Sequence, residues 1–510
     1  MSIQKNFSIK TLYGGIILNF IINTYHMPNN LFQYFYSYLI YINENIYSAE
    51  KVELLLSLSY IIYLLFIPLG ILLNINLNFN TNTIIGISLL IRIFSIYLLI
   101  NCSTNKIFIL YLITKSSSSG ICQLPILLEI WKYYPNNKGL ITGIIYLGKG
   151  IFDLIYEQIS IKIINPDNIG FISIKGIYPS EINEHYFSYL KILMILFCIL
   201  SSMCLCLIYP YSIYANYFIY KKNKFKAKIS KGLLKDFYIL SSKSSYRNTI
   251  GSTKSSNNES GLSSNENDKE NYDNNINIEE EEPFLSLISS FPFLQLSFIF
   301  FLIMAFNSID LSSINKLGLN FEHKKNFLSF TKLIWLFINI IWNIISGYLL
   351  DTYHFKKLLI LLTMIQIFLI PVFYLILNKN WGFILFNIFS SIINSSNNVV
   401  VSFSFSFLFG DENGLILYGI SSIIINTFYI YIDYVYFILE EKIYFFALCF
   451  IFTIFYMIAL ITLCIFVEKK HQYKIENENQ EQIMFNDLSN GKELDYIDIC
   501  NEKEFKNINK

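Results

Sequence analysis

Twelve stretches of this 510-residue chain are apolar over about the length that carries a helix across a bilayer, and nothing else in the sequence constrains the fold as much. They fall near 11–28, 52–73, 83–101, 106–130, 139–161, 187–212, 286–309, 327–350, 356–377, 381–409, 414–438 and 443–467. In hydrocarbon the backbone has no water to bond, so each run must close its own hydrogen bonds as a helix. The sequence therefore predicts an all-α membrane protein with 12 transmembrane helices. Composition agrees: 54% of residues are hydrophobic and mean hydropathy is +0.45, which excludes a soluble enzyme. Net charge is +1, so no bulk electrostatic partner is implied, and nothing indicates nucleic acid. The eight cysteines form no C-x-x-C pair, which leaves neither a disulfide framework nor a zinc site.

The runs are grouped as six, a polar stretch, and six. The expected organisation is a six-helix half at 1–220, a linker at 221–283, a second six-helix half at 284–467 and a tail at 468–510. An internal repeat supports two similar halves. Gly70-Ile-Leu-Leu-Asn74 closes the second run, and Gly347-Tyr-Leu-Leu-Asp351 closes the eighth. Gly139-Leu-Ile opens the fifth run, and Gly414-Leu-Ile opens the eleventh. The linker begins with seven lysines between Lys221 and Lys235, and basic pairs follow runs eight and twelve. The positive-inside rule then places the linker and both termini in the cytoplasm. The linker turns acidic after Glu259 and has too few apolar residues to build a core, so it reads as a disordered tether, with lysines able to touch anionic lipid.

Between runs four and five the chain reads Trp131-Lys-Tyr-Tyr-Pro135-Asn-Asn-Lys138-Gly139, a tight turn between two spans. Gly139 and Gly143, four residues apart, suit a helix face packed closely on a neighbour. The basic–aromatic–aromatic–Pro…basic–Gly pattern of Lys132, Tyr133, Tyr134, Pro135, Lys138, Gly139 and Gly143 resembles the loop between helices four and five of major facilitator transporters of the oxalate/formate and monocarboxylate branch. Tyrosines stand for the family's Trp and Phe, and Lys138 for its Arg. The stretch Gly347 to Lys357 is similar to the second-half copy of the facilitator loop motif, with Asp351, Lys356 and Lys357 in its acidic and basic places. Asp351 is expected to cap a neighbouring helix or meet a base, and Asn74 stands where the first half would carry its Asp. The first run, with Gly14-Gly15, Tyr25 and the later Tyr36-Ser-Tyr-Leu39, resembles the oxalate/formate side of the branch.

Ionisable residues inside spans are the natural site candidates, because isolated charge is costly there. Lys149, Asp153 and Glu157 follow one another at steps of four on span five. They form either a cavity group that binds an anion or carries a proton, or a structural ion pair. Lys332 in span eight is either the cation that, as the resemblance implies, receives a substrate carboxylate, or a snorkelling lysine. Span eleven offers no second cation, which favours a monocarboxylate over oxalate. Arg92 reads more readily as a structural residue than as a cavity group. His26 and Tyr25 end the first run, and Asn397 lies in the polar stretch Asn394 to Asn398 of span ten. Glu129 reads as an interface residue.

No phosphate loop, H-E-x-x-H or nucleophile elbow occurs, so neither enzyme activity nor a cofactor or metal is expected. The resemblance implies a secondary transporter of a small organic anion, with or without a coupled proton, working by alternating access in contact with membrane lipid. The alternatives are a facilitator for another small solute, such as an amino acid, sugar or drug, and a non-transporting receptor or scaffold.

Overall fold

The computed structural model describes residues 2–23, 29–43, 48–77, 79–167, 169, 177–212, 284–304, 325–438 and 442–466. Tyr25, His26, the 221–283 linker and the 468–510 tail lie outside the described residues. In the first half the helices are α1 (Ser2–Ile22), α2 (Asn29–Ile42), α3 (Ala49–Ile75), α4 (Thr81–Ile100), α5 (Asn105–Tyr133), α6 (Lys138–Ile164) and α7 (Ser180–Leu207). In the second half they are α8 (Phe284–Ile288), α9 (Phe291–Met304), α10 (Lys325–Thr352), α11 (Phe355–Ile376), α12 (Asn380–Phe409), α13 (Asp411–Ile438) and α14 (Lys442–Ile465). Among the described residues, eight helices are long and apolar enough to cross a membrane: α3 to α7 and α10 to α12.

Two expected spans differ in form. Where one run at 11–28 was expected, α1 starts at Ser2 and ends at Ile22, and a separate α2 begins at Asn29. The polar residues Gln4 and Lys5 are good helix formers and do not delay the start, while Pro28 just before α2 suits a helix start rather than a helix interior. In place of the front of the 286–309 run, α8 and α9 meet at Ser289-Ser290, and Pro292 sits in the first turn of α9, where its missing N–H costs nothing. Most other boundaries fall within a few residues of the expected ones; α7 starts seven residues early, at Ser180.

The helices are apolar on their outer faces as well as their inner ones. Leu65, Leu90, Ile195, Phe368 and Leu375 are each more than half exposed. In water such a surface would aggregate; against acyl chains it costs nothing. Inside, the chain builds two cores. One joins residues of α1 to α7, and the other joins α8 to α14. Within the first half α3 and α4 pack on α5, and α1 on α6 and α7; within the second, α12 packs on α10 and α13, and α14 on α9 and α11. The halves meet along two antiparallel lines, α6 on α10 and α3 on α13. By the repeat, α3 corresponds to α10 and α6 to α13, so the two lines are related by the same pseudo-symmetry. Leu415 and Ile416 of α13 join the first core, while Tyr146 and Leu154 of α6 pack on the second.

Candidate functional site

The tightest part of the seam lies at the end of the bundle that carries the 134–137 turn. A Cβ on Gly139 would strike the Gly347 carbonyl, one on Gly347 would strike that of Gly139, and one on Gly143 would strike that of Asn343. Backbone therefore meets backbone between α6 and α10, which only glycine permits. At the same place Asp351, at the end of α10, accepts hydrogen bonds from the backbone N–H of Gly139 and Leu140, both at 2.8 Å. These are orphan donors in the first turn of α6, and a carboxylate there also meets the positive end of the helix dipole. The cap expected from the loop motif is thus made across the two halves. Lys138 bonds both carboxylate oxygens of Asp411 at 2.6 Å, and Asp411 also accepts from Ser406. Lys132 stands 3.8 Å from Glu412.

The remaining motif residues act within one half. Tyr133 donates to the Tyr209 carbonyl at 2.9 Å, Tyr134 caps α5, and Pro135 is an exposed turn residue. Lys356 donates to the Phe466 carbonyl at 2.6 Å, just past α14, so it ties α11 to α14 rather than holding the seam; Lys357 is exposed. Glu129 is buried and accepts from Thr81 and from the Tyr211 backbone. It braces the first half internally and is no interface residue. Asn74 donates to the Phe79 carbonyl and to Thr81, closing its own loop.

One to two turns deeper, neutral polar side chains from both halves converge. Tyr146 of α6 lies beside Gln123 of α5, Ser402 of α12 and Tyr418 of α13. Tyr63 of α3 donates to Gln123, and Tyr60 donates to Asn426 of α13 at 3.3 Å. These residues come from both halves. The sequence reading missed these residues. Spacing carried a signal for one part of it: Asn394, Asn398 and Ser402 follow at steps of four, so Asn394 and Asn398 share the face of α12 that meets Tyr146, and both are partly exposed. Asn397, the residue singled out from sequence, is fully buried, and neither its amide nitrogen nor its oxygen has a hydrogen-bond partner.

Above this layer the α6–α10 register continues. Asp153 lies fourteen residues beyond Gly139 on α6 and Lys332 fifteen before Gly347 on α10, and between these points Gly150 of α6 packs on Ile340 of α10. Lys332 is 4% exposed. The Lys149–Asp153–Glu157 stripe rotates toward α10 as it rises, because steps of four overshoot the 3.6-residue turn. Lys149 therefore stands about a quarter turn off the seam and is partly exposed. The side chain of Glu157 lies outside the described residues. Arg92 is elsewhere: it is buried between α4 and α5, and its guanidinium donates to the Lys115 carbonyl at 3.3 Å.

Two six-helix halves, each with its own core, joined along α6–α10 and α3–α13, make the all-α fold of the major facilitator transporters, and the chain is a multi-pass membrane protein of that architecture. Solved structures of that fold match over nearly the whole chain. The fucose:proton symporter FucP in its outward conformation is 12% identical, with a TM-score of 0.58 over 91% of this chain and 100% of that one. A variant of the E. coli FucP gives 12% and 0.55 over the same shares. The proton:xylose symporter XylE, bound to 6-bromo-6-deoxy-D-glucose, is 11% identical, with a TM-score of 0.56 over 92% of this chain and 97% of that one. No protein-family model and no curated protein matches the sequence.

Proposed function

We propose that the protein is a secondary transporter that carries a small organic anion, most simply a monocarboxylate, across its membrane by alternating access. The observation that carries this is the seam: two halves with their own cores meet along two helix pairs, backbone packs on backbone at the turn end, and Lys332 is buried farther along α10. A cation so placed can neutralise a carboxylate that enters from the far side, and Asp153 is the candidate to exchange a proton. The positive-inside pattern puts the turn end, the linker and both termini in the cytoplasm, so the structure corresponds to an outward-facing or occluded state. The resemblance of the 132–143 loop to the oxalate/formate and monocarboxylate branch supports the same substrate class.

One observation favours a second reading. The polar residues gathered from both halves are neutral tyrosines, asparagines, a glutamine and a serine, which suit a polyhydroxylated solute, and the solved structures of this fold are described as fucose and xylose symporters. The experiment that separates the two is uptake of labelled pyruvate, lactate, formate and monosaccharides into proteoliposomes, with and without an inward proton gradient. Saturable monocarboxylate uptake that Lys332→Ala abolishes, and whose proton dependence Asp153→Asn removes, is the expected result. Monosaccharide uptake that survives Lys332→Ala would replace it with the second reading.

A further inference from the structure

A groove of about 250 Å³ runs along the outer surface of the second half, between α10, α11 and α12. Its walls include Trp342, Leu349, Leu358, Leu361 and Phe389, and Leu361 is 54% exposed. Its two polar groups, the Trp342 indole N–H and the Ser396 hydroxyl, are spent on each other at 2.7 Å. Ser396 in turn donates to the Ile392 carbonyl. The groove thus offers no free donor or acceptor, so a polar solute would gain nothing by entering it. It lies on helices that span the membrane, apart from the seam and its buried cation.

The charge pattern at its end says what covers it. Lys357 precedes Leu361 by four residues and Ile365 by eight, so one face of α11 presents an exposed cation at the turn end and groove-lining side chains below it. The neighbouring Lys356 is held by the Phe466 carbonyl, which leaves Lys357 as the ammonium that faces outward there. Tyr353, 60% exposed in the same loop, is a residue type that sits at the headgroup level. A cation and an aromatic ring above an apolar slot match an anionic headgroup above an acyl chain.

We propose that this groove binds one anionic phospholipid of the cytoplasmic leaflet, its acyl chain between α10 and α12 and its phosphate on Lys357. The site rests on the membrane-spanning fold and the orientation given above, and is independent of the transported solute. Because α10 also carries Gly347, Asn343 and Lys332, the bound chain packs on the back of the helix that forms the seam.

The test uses the full chain, delipidated in detergent and titrated with phosphatidylglycerol or phosphatidylcholine of matched chains under native mass spectrometry. Trp342 fluorescence is followed in vesicles of the same lipids brominated on the acyl chain. The expected result is one phosphatidylglycerol retained about fivefold more strongly than phosphatidylcholine, with preferential quenching by the brominated anionic lipid. Lys357→Ala, an exposed position that leaves packing intact, should abolish the preference, and Leu361→Trp, which fills the slot, should abolish the tight lipid altogether. Equal retention and equal quenching by the two lipids, unchanged in Lys357→Ala, would mean an ordinary annular lipid and overturn the proposal. A preference that persists in Lys357→Ala but vanishes with a change elsewhere on the surface would overturn it as well.

Discussion

Gly143 shows how a single residue sets the chemistry of the seam. Its hydrogen is all that fits beneath the Asn343 carbonyl, and the atom in the way is backbone, which cannot swing aside as a long side chain would. Gly143→Leu should therefore force α6 and α10 apart at the turn end, at a cost of about 1–3 kcal/mol as for other overpacked contacts. The expected readout is faster labelling of a cysteine placed at position 146, from the turn end, in a background cleared of native cysteines. Unchanged labelling would show that the halves do not separate there. The role of Gly139 and Gly143 was legible in the sequence as a close-packing pair, but the partner was not, because a small-residue spacing says that something approaches and not which helix does. Asp351 was similar: its position at a helix end predicted a cap, and only the fold showed that the capped helix is α6. Asn397 went the other way, since one step along α12 separates a face that meets Tyr146 from a fully buried one.

At the level of the helices, the repeat read from the sequence is real but is not used symmetrically. Gly139 and Gly347 touch across α6 and α10, yet their counterparts Gly414 and Gly70 do not touch each other. Gly414 faces the Phe405 carbonyl of α12, Gly70 faces Ile121 of α5, and the close approach of α13 to α3 is made by Gly419 against Pro68. The same holds for the caps. Asp351 serves the start of α6 from the opposite half, while α13 carries its own acids, Asp411 and Glu412, in its first turn. Asn74 cannot replace Asp351 in the first half because its amide is donating to Phe79 and Thr81, and Thr81 donates on to Glu129. Asn74→Asp would remove those donors and set a carboxylate near Glu129. It should lower the melting temperature of the protein without tightening the closed state, although it restores the motif letter for letter. A gain in closed-state population, read as slower labelling at position 146, would contradict this account.

The whole molecule is two cored halves joined along α6–α10 and α3–α13. Lys138 and Asp411 are the clearest link between loops of opposite halves, and each is about a quarter to a third exposed. A pair that open to water contributes at most about 1 kcal/mol, roughly fivefold in a two-state balance. For the proposed alternating access that is the right scale, since a stronger latch would hold one state permanently. Lys138→Asp should shift the balance toward a state open at the turn end by about that factor, through repulsion from Asp411 and Glu412. Adding Asp411→Lys to the same chain should return it. Failure of the double exchange to recover uptake would show that position 138 acts through something other than this pair.

The sequence by itself determined most of the apolar spans, their grouping into two similar halves, the turn at 134–137 and the glycine and acid positions that the seam uses. These are properties of short segments, fixed by the 20-residue reach of a helix across hydrocarbon and by local turn chemistry. Only the tertiary structure decided which helices pair across the halves, that Tyr60, Tyr63, Gln123, Tyr146, Ser402 and Tyr418 gather from both of them, and that Lys332 is buried while Lys149 is partly exposed. Those facts depend on the register and rotation of helices far apart in the chain. In a membrane, where apolar residues line every side of a span, hydrophobic periodicity carries little information about which face turns inward.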